Sequence, residues 1–296
     1  MDRQSGTRYT ERESLVAIDM HVRPWDAESL SILGGGRAKA MEGYFGRYPD
    51  PVPLDELADQ YRARSMMAVL QTSDDQTTSG LPPQSNDHTA AAVRRNPDVF
   101  MAFAGIDPWK GRMALDEMRR CATELGMRGL CFNAARQHFD PSDVRFHPLW
   151  ERASELGLIC LFHTGMVGMG AGQPGGMGIK LRYGNPLLLD DVAADFPDLT
   201  IISAHPGWPW TGEQLAMVRH KANVYMDLSG VAPKYWPAEV MEQVKLIQDK
   251  VLFGTDWPVL TPERWLDEFE AYGVPSEIRS KILIGNARRI LASDEK

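Results

Sequence analysis

The sequence predicts an α/β protein built as a (β/α)8 TIM barrel, and three observations point there. Eight short apolar segments of strand character recur along the 296 residues, most of them followed by a longer stretch with helical spacing, the alternation that parallel strands with crossover helices require. These segments are rich in Val, Ile, Leu, Met and Phe without clean polar alternation, as in strands covered on both faces. The competing doubly wound sheet needs a phosphate-binding turn. The GxGxxG match, Gly170-Ala-Gly172-Gln-Pro-Gly175, begins well after its strand and holds a proline where the nucleotide helix would start.

In chain order, a polar tail is expected over residues 1–14 and the barrel domain over 15–296. The strands are predicted at 15–19, 66–71, 99–106, 127–132, 158–163, 199–204, 224–228 and 251–254, where β-branched and apolar residues cluster between turn signals. Helical spacing marks 111–125, 148–156, 186–196, 213–220 and 262–271, and a helical tail over 276–291 closes the domain. Asn286 is expected to cap the last helix through its side chain. The stretches 22–53 and 165–182 are longer than routine βα loops and are read as irregular candidate lids.

Composition narrows the function. A formal charge of −8, with no Lys/Arg cluster, argues against a nucleic-acid partner. The three cysteines, Cys121, Cys131 and Cys160, are odd in number, lack CxxC spacing and sit in apolar stretches. They are read as reduced thiols in a core, which points to the cytoplasm. The N-terminus has no apolar signal region, and the longest apolar run, 158–162, is too short to span a bilayer, so neither export nor a membrane anchor is expected.

In such a barrel the chemistry collects at the carboxyl ends of the strands. Those ends read Asp19-Met-His21, Asn133, His163-Thr164, His205-Pro, Asp227 and Thr255-Asp256-Trp257. Of seven histidines, three fall at strand ends, while His88, His138, His147 and His220 lie in loops or helices. A lone histidine there is as readily a hydrogen-bonded core residue as a ligand. Three of them with Asp256 suit a divalent metal, zinc first and manganese second, that would acidify a bound water or polarise a substrate oxygen.

The segments Ile18-Asp-Met-His-Val-Arg-Pro24, Leu161-Phe-His-Thr-Gly165, Ile201-Ile-Ser-Ala-His-Pro-Gly207 and Leu252-Phe-Gly-Thr-Asp-Trp-Pro258, with the closing Gly285-Asn-Ala-Arg-Arg-Ile-Leu291, carry a resemblance. They resemble, in order and from about residue 15 to 291, the aminocarboxymuconate-semialdehyde decarboxylase family of the amidohydrolase superfamily. The resemblance implies that His21, His163 and Asp256 hold a divalent metal and that His205 is the acid/base histidine. Asp256 then both ligates and moves a proton. It also implies decarboxylation, hydration or hydrolysis of a small, often aromatic-derived carboxylate, and helices that pair into a homodimer.

One departure opens three readings. The family's His-X-His is here His21-Val22-Arg23, and a guanidinium is no metal ligand. Either metal stays on His21, His163 and Asp256, with Asp19 completing the set, or metal is lost and Arg23 grips a substrate carboxylate, as in a metal-independent lactone hydrolase. The third reading is a degenerate barrel that binds a ligand, against which stand His205 and Asp256 with their flanks intact. In the Gly-rich stretch after strand five, Lys180 and Arg182 are read as substrate-binding cations or as solvated charges. Trp208, with Trp210 and Trp257, is read as a pocket wall or as packing. The Gly34-Gly-Gly36-Arg37 turn could present backbone amides to an anion. Asp107-Pro108 reads as a turn starter.

Overall fold

The computed structural model describes residues 12–46 and 50–292, so most of the predicted polar tail lies outside the described residues. The eight strands are β1 (Ala17–Val22), β2 (Met66–Gln71), β3 (Phe100–Gly105), β4 (Gly129–Phe132), β5 (Ile159–His163), β6 (Ile201–Ala204), β7 (Val224–Asp227) and β8 (Val251–Leu252). They form one parallel sheet in sequence order. β8 returns to β1 through the Val22–Trp257 bridge and through Met20 N–H donating to Phe253 O at 3.0 Å. Each predicted strand overlaps an observed one. The closed order is the TIM barrel that the alternation predicted.

Alternation along the strands sorts the apolar residues into two cores. Ile18, Met20, Met67, Val69, Met101, Phe103, Leu161 and Ile202 fill the barrel interior, and Ile284, Ala287, Ile290 and Leu291 of the C-terminal helix plug its lower end. The alternate residues, including Ala17, Leu70, Phe100, Phe132, Phe162 and Met226, pack outward against the covering helices. Burying both faces leaves the upper rim as the place where polar groups gather. Among the described residues no helix is long and apolar enough to cross a membrane.

Two sequence expectations change here. The stretch 22–53 is not irregular: helices Ala27–Ser31 and Gly35–Phe45 occupy much of it, the first capped by Asp26, whose side chain accepts from Ser29 N–H at 3.1 Å. The triglycine turn opens the second helix, with Gly34 O accepting from the N–H groups of Arg37 and Ala38. Asn286 is not a cap. The helix runs unbroken through Lys281–Gly285 into Asn286–Leu291, its amides already paired, and the Asn286 side chain donates instead to Gln248 O (2.8 Å) and Val251 O (2.7 Å).

Candidate active site

Local backbone geometry turns each site residue into the mouth. Along β1, Ile18 and Met20 face the interior, so plain alternation sends His21 outward; the register shift between Asp19 and Val22 re-aims it. His205 and Asp256, just past β6 and β8, hold φ of 70° and 56°, left-handed conformations that strain a residue with a Cβ by about 1–3 kcal/mol each. Such strain persists only where surrounding bonds enforce it. Asp256 N–H donates to His21 O at 2.8 Å, and His205 N–H to Asp227 Oδ1 at 3.3 Å. Gly230, with φ +74°, lies so close that a Cβ there would stand 2.7 Å from His205 Nδ1.

The three imidazoles form a compact group, with candidate ligand nitrogens within 4.8 Å of one another. His163 Nδ1 lies 2.8 Å from His205 Nε2, and His205 Nδ1 lies 2.9 Å from Ser229 Oγ. His21 Nδ1 is 3.1 Å from Asp227 Oδ2, and its Nε2 is 3.3 Å from Asp256 Oδ1. Arg23 donates from Nε to Asp256 Oδ1 at 2.8 Å, and its Nη2 is 3.3 Å from His163 Nε2. Which ring nitrogens carry protons follows from these neighbours.

Charge follows from the same contacts. Burial disfavours a charged His21, but the Asp227 and Asp256 carboxylates prevail and raise its pKa to about 9. Burial pushes His163 well below the ordinary histidine value, helped by Arg23 and His21, and it lowers His205 as well. Burial favours a neutral Asp256, yet Arg23 and His21 hold it firmly ionised. The mouth thus pairs two neutral imidazoles with an ionised carboxylate, a set that can accept and pass on a proton.

Above this floor opens a cavity of about 530 Å3. Arg23, His163, His205 and Asp256 line its base, and Met41, Trp208, Val231 and Tyr235 are among its apolar walls. Of the residues predicted from sequence, His21 sits just beneath, fully buried, and Trp208 stands at the rim, 58% exposed. Trp210 and Trp257 do not line the cavity; Trp257 is buried in the outer core.

Lys180 and Arg182 require correction. Both are exposed and neither lines the cavity, because their segment folds over the β4 loop instead, with Lys180 N–H donating to Ala135 O and Arg182 stacked on Tyr183. Asp19 is engaged away from the histidine group. Its carboxylate accepts from Tyr61 Oη (2.8 Å), Thr255 Oγ1 (2.6 Å) and the N–H groups of His21 and Thr255, bracing β1 against β8. Burial raises its pKa to about 6 despite those bonds. Sequence reasoning missed Ser229, Gly230 and Arg136. The first two lie two and three residues past Asp227, beyond the strand-end signal, and nothing local separates Arg136 from the other basic residues.

The donor set fits a divalent cation. His21 Nε2 is buried without a hydrogen-bond partner among the described residues, and it faces the oxygen of Asp256 inside the histidine group. A buried imidazole nitrogen without a hydrogen bond, set among imidazoles and facing a carboxylate, is what a metal satisfies.

The amidohydrolase family model matches residues 18–292. The 2-amino-3-carboxymuconate-6-semialdehyde decarboxylase of Dictyostelium discoideum is 24% identical over 243 residues, covering 71% of this chain and 66% of that protein, just under two thirds of its length. The gamma-resorcylate decarboxylase of Rhizobium sp. (strain MTP-10005) is 23% identical over 257 residues, 71% of this chain and 76% of the relative. Among solved structures, a dihydroxybenzoic acid decarboxylase from Polaromonas sp. JS666 with bound manganese and the inhibitor 2-nitroresorcinol superposes with a TM-score of 0.66 at 18% identity. It covers 95% of this chain and 98% of that one. That likeness shows the barrel fold.

Proposed function

The chain belongs to the amidohydrolase family, and on that premise we propose that it catalyses the non-oxidative decarboxylation of a small aromatic carboxylate with a divalent metal at the barrel mouth. The observation that carries this reading is the buried group of His21, His163 and His205 with Asp256 at the base of a largely apolar-walled cavity. The relatives named as decarboxylases of aromatic or muconate-derived acids support the same reaction class.

His21 and His163, with Asp256, are the residues that would hold the metal, with manganese favoured by the Polaromonas structure and zinc by the donor types. When bound, the ion supplies Lewis-acid polarisation of substrate oxygens. Arg23, lining the cavity base, orients the carboxylate by its charge. Decarboxylation breaks the bond to that carboxylate, releases CO2 and leaves a carbon that needs a proton. That proton comes from solvent water, and Asp256 and His205 are the groups that would relay it to the carbon. Trp208 and the apolar wall keep water from the carbanionic carbon. The buried, unpaired thiols of Cys121, Cys131 and Cys160 support a reducing cytoplasmic setting.

One contact favours a second reading. Arg23 already bridges Asp256 and His163, so a resident guanidinium could take the cation's place in a metal-independent hydrolase of carboxylated lactones. Elemental analysis, paired with CO2 release from hydroxybenzoates and hydrolysis of aromatic lactones, separates the two. About one metal per chain, lost in His21→Ala, with CO2 release abolished by chelation, is the expected result. A metal-free protein that hydrolyses lactones at full rate overturns it.

A further inference from the structure

Arg136 lies in the short helix Ala134–Gln137 that follows β4, and it lines the main cavity beside Asn133 and His163. Only 8% of it is exposed. Its Nη2 donates to Asp75 Oδ2 at 3.0 Å, and its backbone N–H to Asn133 Oδ1. Its Nε is buried with no hydrogen-bond partner among the described residues. Asp75 does not belong to Arg136 alone, because Arg37 donates to both of its oxygens, at 3.2 and 2.8 Å. The neighbouring Asp74 is already matched by Lys110 at 2.6 Å. Two guanidinium groups therefore share one carboxylate, and one positive charge at the cavity wall has no protein counter-ion among the described residues.

A buried charge with an unmade hydrogen bond is costly unless a ligand completes it. Burial accordingly weakens the hold of Arg136 on its proton, as do the nearby Arg37 and Arg23, with Asp75 opposing them. Arg23 cannot be the missing anion's sole receiver, since it is engaged with Asp256 and His163 on the reacting side. Arg136 and Arg23 both line the main cavity, so a ligand that fills it meets both.

We propose that Arg136 docks a second anionic group of the substrate, distinct from the carboxylate at Arg23, so that the preferred substrate is an aromatic dianion. The proposal rests on the carboxylic-acid reading of the mouth, and its test separates the two. Calorimetric binding is compared for benzoate and the three benzenedicarboxylates, on the natural protein, Arg136→Gln and Arg136→Lys, with folding checked by circular dichroism.

At least one dicarboxylate is expected to bind natural protein about tenfold more tightly than benzoate, a charge-assisted bidentate contact of ordinary strength. Arg136→Gln should erase that preference and leave benzoate within about twofold, since a neutral amide keeps the shape but not the charge. Arg136→Lys, which retains the charge toward Asp75, should keep only part of it. Benzoate bound with no dicarboxylate preference, or a preference that survives in Arg136→Gln, overturns the role of Arg136. If Arg136→Gln does not fold, an undiminished preference in Arg136→Lys overturns it. No binding by any of the four acids overturns the carboxylic-acid reading together with it.

Discussion

Arg23 and Asp256 meet across the seam of the barrel, Nε to Oδ1 at 2.8 Å, where β8 closes on β1. Backbone bonds fix both partners: Arg23 N–H donates to Trp257 O at 3.0 Å and Asp256 N–H to His21 O at 2.8 Å. The pair is thus built into the closure of the sheet, and its charges set those of the neighbouring imidazoles.

Replacing Asp256 by Asn keeps its volume and removes its charge. Turnover is expected to fall by about 10²–10⁴. In metal-stripped protein the pKa of His21, about 9 with two carboxylates beside it, should drop when one is neutralised. Steady-state assays and NMR titration of the histidine ring read the two effects, and an unchanged His21 titration would sink the electrostatic account.

Gly230→Ala separates steric from backbone effects. Its Cβ would press on His205 Nδ1 at 2.7 Å, whereas Gly273, with φ +60°, has no atom within 4 Å of an added Cβ. Gly273→Ala should cost only the left-handed backbone penalty, about 1 kcal/mol. Gly230→Ala should cost more and lower turnover at least about tenfold, by displacing His205. Denaturant unfolding and kinetics on both variants check the contrast.

Asp75 gives the acid limb of stability. Although burial opposes ionisation, Arg136 and Arg37 hold its carboxyl below the ordinary value. A lowered folded pKa means that its contribution is present above about pH 4, the unfolded carboxyl value, and is lost as pH falls through the folded one. Urea unfolding from pH 5 to 2 should therefore show a shallower decline for Asp75→Asn than for the natural protein. Equal slopes would show that Asp75 carries no such linkage.

Trp208→Ala tests the rim. At 58% exposure the indole contributes little to folding, so stability should change by no more than about 0.5 kcal/mol. Loss of the wall it forms over the cavity should instead raise KM several-fold with a smaller effect on kcat. A fall in Tm with KM unchanged would make it a packing residue.

The sequence by itself determined the barrel and which residues stand at its strand ends, because both are local. Apolar segments at regular intervals need only their own neighbours to become strands, and parallel pairing then delivers His163, His205 and Asp256 to one rim. Helix signals such as those over 262–271 are likewise written in a single turn or two, and Thr261 does cap that helix by accepting from Arg264 N–H. What only the tertiary structure decided depends on residues far apart in the chain. The shift in β1 turned His21 inward and left Asp19 as a brace to Tyr61 and Thr255. The path of the segment after β5 carried Lys180 and Arg182 away from the cavity, while the sharing of Asp75 by Arg37 and Arg136 left a buried charge at its wall. Periodicity records which face a residue takes, but a charge balance is a property of groups that only folding brings together.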